Sequence, residues 1–313
     1  MNPIHTVKRM LQVNLNVLPG EDLLIVIDST KKDLGNVFVQ AGKAVGAVTE
    51  LLAFEPSGKS GTEPPLSIAK AMKEADVAIC ITAHSLSHTN SRKHAAAAGT
   101  RVATMPGLTA DMLETGALLA DYEEVQKTGE LIAEQLKNSR EVTIHTENKV
   151  LTFRIDGRSP KVSSGLLRGC GQSGNLPSGE TYIAPLEGTA NGEIVIDGSI
   201  ADIGRLTKAV TIRVENGKLV AASGSQGEAL LALLGDGDGR MLAELGIGTN
   251  PMARMTGNVL EDEKKAGTCH IAFGSNHTFG GTIHADVHID CVITRPQLFI
   301  DGKLILAHGK IVG

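Results

Sequence analysis

The first part of the chain alternates short apolar runs with segments of helical periodicity. DLLIVID (22–28), VTELLAF (48–54), DVAICITA (76–83) and RVATMP (101–106) predict strands, and segments such as PLSIAKAMKEA (65–75) predict the helices between them. Runs that are apolar throughout are typical of strands buried on both faces. The repeated order of strand and helix therefore predicts a parallel sheet covered by helices on both sides.

The pattern changes near residue 139. EVTIHTENKVLTFRIDG (141–157), AVTIRVENGKLVAASG (209–224) and FIDGKLILAHGKIV (299–312) are paired alternating runs joined by turn residues, which predict β-hairpins. Further helices are predicted over 226–234 and 256–266. The sequence thus predicts two domains, an α/β domain with a parallel sheet over 1–140 and an α+β, mainly antiparallel domain over 141–313.

Composition narrows the classes of partner. The 313 residues include 30 Lys and Arg against 35 Asp and Glu, a formal charge of −5, and only 3% are aromatic. Without a basic run or stacking aromatics, nucleic-acid binding is not expected. No apolar run approaches the roughly 20 residues of a membrane helix. Four scattered cysteines without CxxC spacing favour a reduced, cytoplasmic protein.

Histidine and aspartate are concentrated between residues 267 and 290. In HADVHID (284–290), His284, Asp286, His288 and Asp290 alternate with apolar residues, so a strand would carry all four on one face. Upstream, TCHIAFG also alternates and offers His270. Two neighbouring strands would bring these imidazoles and carboxylates together, which is the composition of a metal site. The alternative is a strand face exposed to solvent.

Two glutamates stand in unusual surroundings. Glu180 begins an extended run within the Gly- and Pro-rich NLPSGETYIAP, and Glu244 lies in the apolar AELGIGTNP. A buried acid requires a partner, because burying an unpaired charge is costly. A metal ion would serve, but Glu180 is equally consistent with a loop carboxylate and Glu244 with an ion pair to Lys or Arg.

Taken in order, NLPSGETYIAP, ELGIGTNP, GTCHIAFGSN and HADVHID resemble the signature of the thermophilic-type metalloaminopeptidases, peptidase family M29. The resemblance covers the second half of the chain. It implies a cytoplasmic homodimer that uses two divalent ions, Zn, Co or Mn, to activate water against the N-terminal bond of a small peptide or another small-molecule substrate. The metal ligands that the resemblance implies are Glu180, Glu244, His270, His288 and Asp290.

The sequence departs from that family at one informative position. Seven residues after His270, where the family usually has tyrosine, this chain has His277. His277 could donate a hydrogen bond to a tetrahedral oxyanion, bind metal or simply occupy the loop. A further carboxylate would accept the proton of the attacking water. Glu187, Asp262 and Glu263 are candidates for that role, although each is expected to be a surface charge or a helix-end residue.

Two other functions remain open at this point. A relative of the M29 family opens the ring of 2,5-dihydroxypyridine with a single iron, which makes a mononuclear Fe(II) ring-cleaving dioxygenase the second hypothesis. A non-catalytic protein that binds a metal or a small molecule is the third. Because both Glu180 and Glu244 are present, two metal ions are favoured over one, and the aminopeptidase is ranked first.

Overall fold

The computed structural model describes residues 2–312. The helices of this part of the chain are α1 (Pro3–Val13), α2 (Lys32–Ala44), α3 (Leu66–Glu74), α4 (Asn90–Ala97), α5 (Tyr122–Leu136), α6 (Gly224–Leu234) and α7 (Val259–Asp262). The strands are β1 (Asp22–Asp28), β2 (Val48–Phe54), β3 (Val77–Ile81), β4 (Arg101–Thr104), β5 (Glu141–Thr146), β6 (Lys149–Arg154), β7 (Lys161–Ser163), β8 (Ser173–Asn175), β9 (Glu180–Ile183), β10 (Asn191–Ile196), β11 (Ser199–Ile200), β12 (Gly204–Arg205), β13 (Val210–Glu215), β14 (Lys218–Ala222), β15 (Leu242–Gly248), β16 (Cys269–Gly274), β17 (His288–Ile293), β18 (Gln297–Ile300), β19 (Lys303–Ala307) and β20 (Lys310–Ile311).

The first of two compact units comprises Met1–Glu123 and Gly165–Ser178. Its sheet has the order β2-β1-β3-β4-β8, and each neighbouring pair is parallel. All but the first residue of β1 and all of β3 are buried, which is why these strands are apolar nearly throughout. The edge strand β8 begins within the glycine-rich segment GCGQSG (169–174), so the end of this segment helps to complete the parallel sheet of the first unit.

The second unit comprises Glu124–Ser164 and Gly179–Gly313. It contains two antiparallel sheets, one of eight strands in the order β14-β13-β10-β6-β5-β18-β19-β20 and one of seven in the order β12-β11-β17-β16-β15-β9-β7. A single hydrophobic core takes side chains from both sheets, among them Ile144 and Phe153 from the first and Ile271 and Ile293 from the second. Each sheet therefore turns one face to this core.

The predicted fold class is confirmed: a parallel sheet with helices in the N-terminal part and antiparallel sheets in the C-terminal part. The boundary near residue 140 stays a prediction. The helix expected over 256–266 is a single turn, α7, because Glu261, Asp262, Glu263 and Lys264 are buried and bonded to other segments instead of lining a solvated helix. Across residues 2–312, every helix is too short or too polar to span a bilayer.

Candidate metal centre

The seven-stranded sheet has one apolar face and one ionisable face. In β16, Cys269, Ile271 and Phe273 join the hydrophobic core. His270, which lies between Cys269 and Ile271, therefore points to the opposite face. In β17, Ile289 belongs to the core, and His288 and Asp290 on either side of it point away. The alternation in the sequence placed these three ionisable side chains on one face correctly.

The strand β17 begins at His288 rather than at His284. His284 and Asp286 lie in the preceding loop, because this loop folds back on itself instead of extending the strand. The buried amide of Asn276 closes the loop by accepting a hydrogen bond of 2.8 Å from the backbone N–H of Ile283. The expectation that all four polar residues of HADVHID share a strand face is therefore wrong for the first two.

The neighbouring strands bring the two glutamates to the ionisable face. Glu244 of β15 lies opposite Ala272 of β16, and Ala272 in turn lies opposite Asp290 of β17. On the other side of β15, Gly248 pairs with Glu180, the first residue of β9. Four adjacent strands, β9, β15, β16 and β17, thus supply the five residues that the sequence singled out as ligands.

Gly246 provides the space that the His270 ring occupies. Gly246 lies directly across from His270 in the register of β15 and β16. A Cβ at this glycine would lie 2.1 Å from both Cε1 and Nε2 of the imidazole. Any side chain at position 246 would therefore displace the ring, a requirement that the sequence motif ELGIG does not reveal.

Glu244 lies between the two imidazoles. Its Oε1 is 3.3 Å from Nε2 of His270, and its Oε2 is 3.4 Å from Nε2 of His288. Nε2 of His288 is also 3.4 Å from Oδ1 of Asp290, and Nε2 of His270 is 3.5 Å from Oε2 of Glu180. All five side chains point their ligand atoms into one small volume.

The tautomer of His288 suits a metal ligand. Its Nδ1 lies 2.8 Å from the carbonyl oxygen of Ser275, which can only accept a hydrogen bond, so Nδ1 carries the proton. Nε2, which faces Glu244 and Asp290, is then the nitrogen that would bind a metal, and the backbone contact fixes the orientation of the ring. The His270 ring is buried, and its Nδ1 has no hydrogen-bond partner among the described residues.

Two further ionisable residues, Lys264 and Glu263, border the centre, and of these the sequence did not predict Lys264. Lys264 is 1% exposed, and its Nζ lies 2.7 Å from Oε1 of Glu180 and donates to Oε1 of Glu263 as well. Glu263 is buried, which corrects the expectation of a surface or helix-end carboxylate. The run EDEKK resembles an exposed helical segment, and nothing in its composition signals burial.

The other two candidate carboxylates have structural partners. Asp262 is fully buried and accepts hydrogen bonds from the backbone N–H groups of Thr256 and Gly257. Glu187 pairs with Arg158 and accepts a 2.8 Å hydrogen bond from the backbone N–H of Thr282. Burial raises the pKa of Glu187, but these contacts outweigh it and hold the pKa low. Neither carboxylate belongs to a ligand set described below.

The pKa values of the cluster show how strongly its charges interact. Burial raises the pKa of Glu263, and the carboxylates of Asp290 and Glu180 add to the rise while the ammonium group of Lys264 opposes it. Burial alone would lower the pKa of His270, but the hydrogen bond to Glu244 and the surrounding carboxylates raise it to about 9. The centre is therefore rich in negative charge that attracts cations.

The side chains form three overlapping sets that could each hold a metal ion. Within each set, one ligand atom from every member lies within 4.8 Å of the others. Imidazole and carboxylate donors of this kind suit Fe, Mn and Zn, so the residues fit a metal ion. The sets are Glu180–Glu244–His270, Glu244–His288–Asp290 and Glu263–His270–Asp290.

His277 lies outside these sets, in the loop between β16 and β17. It is exposed, its ring stacks on that of His284 with centroids 4.2 Å apart, and its Nδ1 is 2.9 Å from Oγ of Ser275. Two residues further on, the Phe279 ring stands edge-on to His288, with centroids 5.9 Å apart. The loop is thus linked to the centre through Phe279 and the Ser275 carbonyl.

Comparison with known proteins identifies the family. The model of the family NicX: 2,5-dihydroxypyridine 5,6-dioxygenase matches residues 4–313. The structure of 2,5-dihydroxypyridine dioxygenase from Pseudomonas putida KT2440 superposes with a TM-score of 0.83 at 16% identity, covering 99% of this chain and 97% of that one. Wild-type AmpT from Thermus thermophilus superposes with a TM-score of 0.74 at 18% identity, covering 100% and 99%. No curated protein sequence matches the chain significantly.

These findings correct the first-ranked function. The likeness to AmpT, an M29 aminopeptidase, supports the resemblance at the level of the fold, as expected at such low identity. The family that matches nearly the whole chain is a dioxygenase, so the aminopeptidase prediction is wrong. The chain is an enzyme of a family in which the second-ranked hypothesis, ring cleavage, is the described activity.

Proposed function

We propose that this chain, which belongs to the NicX family of 2,5-dihydroxypyridine 5,6-dioxygenases, is a metal-dependent dioxygenase that opens a dihydroxylated pyridine ring. The observation that carries the proposal is the family match over residues 4–313, which includes every residue of the candidate metal centre. The centre supports it independently, because its two imidazoles and its carboxylates are the donors of non-haem iron oxygenases.

The proposed reaction joins 2,5-dihydroxypyridine with molecular oxygen. The C5–C6 bond of the ring breaks, and each of these carbons receives one oxygen atom. C5, which already carries a hydroxyl, becomes a carboxyl group, and C6 becomes a formyl group on the ring nitrogen. Molecular oxygen is the oxidant and both of its atoms enter the product, so no external reductant is required.

We assign the iron to His270, His288, Asp290 and Glu244. Two imidazoles with one carboxylate form the ligand set of many non-haem Fe(II) oxygenases, and this centre offers a second carboxylate beside such a set. His288 and Asp290 are adjacent on β17, and Glu244 reaches both imidazoles from β15. When bound, Fe(II) would supply the redox chemistry that lets oxygen react with the aromatic ring.

The surrounding residues have roles that follow from their contacts. The Ser275 carbonyl keeps the proton of His288 on Nδ1. The Phe279 ring, edge-on to both His288 and Tyr182, excludes water beside the centre and offers an aromatic surface to a flat substrate. His277 and His284 stand on the same loop and are suited to exchange a proton with a ring hydroxyl.

The direct test is oxygen uptake by protein that has been loaded with Fe(II) under anaerobic conditions and then transferred to oxygenated buffer. On addition of 2,5-dihydroxypyridine, we expect one oxygen molecule to be consumed for each ring opened, followed as loss of the ring absorbance. Protein loaded with Zn²⁺ is the matched control, because zinc binds similar ligands and has no redox chemistry. Absence of oxygen uptake by a protein that holds iron would contradict the proposal.

The role of His277 gives a separate prediction. We expect His277→Ala to retain the iron content of the unmodified protein, since His277 lies outside the ligand sets, and to lower kcat for ring opening by roughly 100-fold, the range of a lost proton-transfer group. Steady-state kinetics across pH would measure the loss, with Thr278→Ala on the same exposed loop as the control. An unchanged kcat would remove His277 from the mechanism.

A further inference from the structure

Lys264 holds a position that is unusual for a lysine. Its side chain is buried, and its ammonium group lies between two carboxylates, 2.7 Å from Oε1 of Glu180 and bonded to Oε1 of Glu263. Burial alone would lower the pKa of this amine, but the two carboxylates outweigh that effect and raise it. A fixed positive charge therefore stands at the edge of the candidate metal centre.

The ammonium group touches two of the three ligand sets. Glu180 belongs to the set with Glu244 and His270, and Glu263 belongs to the set with His270 and Asp290. The third set, Glu244–His288–Asp290, contains no carboxylate bonded to Lys264. The three sets are thus unequal: in two of them, one carboxylate is already neutralised by a cation that belongs to the protein.

We propose that Lys264 takes the place of a second metal ion and so limits the centre to one ion, held by Glu244, His288 and Asp290 together with His270. This inference rests on the proposed function, since it concerns the metal of that site. A cation bonded to Glu180 and Glu263 satisfies the two carboxylates that a second metal ion would need. It also repels a divalent ion that approaches the same oxygens, because like charges a few ångströms apart interact strongly where water is excluded.

The same arrangement explains how two Glu residues can be present without two metal ions. The resemblance to the M29 family assigns Glu180 as a metal ligand, whereas its bond to Lys264 gives it the role of a counter-ion. The two assignments predict different numbers of bound metal ions when Lys264 is replaced. Without the ammonium, Glu180 and Glu263 would be left as a buried pair of unmatched carboxylates, a costly state that a second divalent ion would relieve.

The experiment measures metal stoichiometry rather than activity. Protein is stripped with a chelator, titrated with Mn²⁺ in a calorimeter, and the bound metal is counted by elemental analysis after desalting. We expect one ion per chain for the unmodified protein and two for Lys264→Ala. The matched control is the triple variant Lys264→Met, Glu180→Gln, Glu263→Gln, which removes the ammonium together with both charges that it neutralises, and we expect it to bind one ion.

A second variant keeps the test decisive where Lys264→Ala does not fold. Glu180→Gln preserves the shape of the side chain, and we expect it to bind one Mn²⁺ with a Kd within roughly 10-fold of the unmodified protein. If Glu180 were a direct ligand, its replacement would weaken metal binding by more than the ~100-fold typical of residues that only hydrogen-bond to a ligand. Two ions in the unmodified protein, one ion in folded Lys264→Ala, or a larger loss in Glu180→Gln would each overturn the inference. Failure of ring cleavage alone would leave these metal counts unchanged and bear only on the proposed function.

Discussion

Replacing Glu244 with alanine is expected to abolish metal binding and, with it, oxygen uptake. Glu244 belongs to two of the ligand sets, and its two oxygens lie 3.3 Å and 3.4 Å from the two imidazoles. Its removal takes away the carboxylate that joins His270 to His288. The hydrophobic core on the other face of the sheet is untouched, so we expect the free energy of unfolding to fall by no more than about 2 kcal/mol.

Elemental analysis and chemical denaturation of the same preparation would check both parts of this prediction. Glu215→Ala is a suitable control, because Glu215 is an exposed residue of β13 whose carboxylate pairs with the half-exposed Arg213 at 3.0 Å. We expect the control to match the unmodified protein in metal content and in stability. Metal content in Glu244→Ala equal to that of the control would remove Glu244 from the centre.

The second large effect is expected from the smallest substitution, Gly246→Ala. The added methyl carbon would lie 2.1 Å from Cε1 and Nε2 of His270. Non-bonded atoms cannot approach so closely, so either the ring or the backbone of β15 would have to move. Because His270 is buried, the ring has little room to yield. We expect a loss of about 1–3 kcal/mol in stability, typical of overpacking, and a fall of at least ~100-fold in metal affinity as the ligand is displaced.

A double-mutant cycle would show that the clash with His270 is the cause. In a His270→Ala background the methyl group has space, so Gly246→Ala should cost little further stability. Gly237→Ala serves as the control, because nothing lies within 4 Å of a Cβ at that glycine and its φ is not positive. Equal destabilisation by Gly246→Ala in the presence and absence of the imidazole would show that the close approach to His270 is not responsible.

The alternating pattern of the sequence was sufficient to locate the ionisable face. In a strand, successive side chains point to opposite faces, so His270, His288 and Asp290 had to share a face once β16 and β17 paired in their observed register. The apolar surroundings of Glu244 were equally informative, since a carboxylate in such a run demands a partner. The five predicted ligand positions come together in the structure for these local reasons.

The features of the centre that the sequence did not predict depend on contacts between segments that are distant in the chain. Lys264 meets Glu180 across 84 positions of the chain, and the run EDEKK around it has the composition of an exposed helix. These charges are buried where the turn after α7 packs beside β9 and the end of β15, through the bonds of Lys264 to Glu180 and to the backbone of Asn250. The space that Gly246 leaves for His270 likewise depends on strand register, which periodicity does not specify.

The absence of such long-range contacts from the sequence pattern also explains why the functional hypotheses were ranked in the wrong order. The resemblance to the M29 family implied a dinuclear hydrolase, and the presence of both glutamates ranked that hypothesis above the mononuclear dioxygenase. In the structure, Glu180 bonds to a buried ammonium group, so the presence of its carboxylate does not by itself indicate a second metal ion. The ligand residues alone are consistent with either chemistry, and the family match favours the dioxygenase.

The measurement that tests the central claim most directly is the fate of oxygen-18. Protein loaded with Fe(II) would be mixed with 2,5-dihydroxypyridine under ¹⁸O₂, and the product examined at once by mass spectrometry. A ring-cleaving dioxygenase places both labelled atoms in the ring-opened product, one on the carboxyl carbon and one on the formyl group. A product that lacks label, or intact 2,5-dihydroxypyridine after incubation with iron-containing protein, would contradict the account.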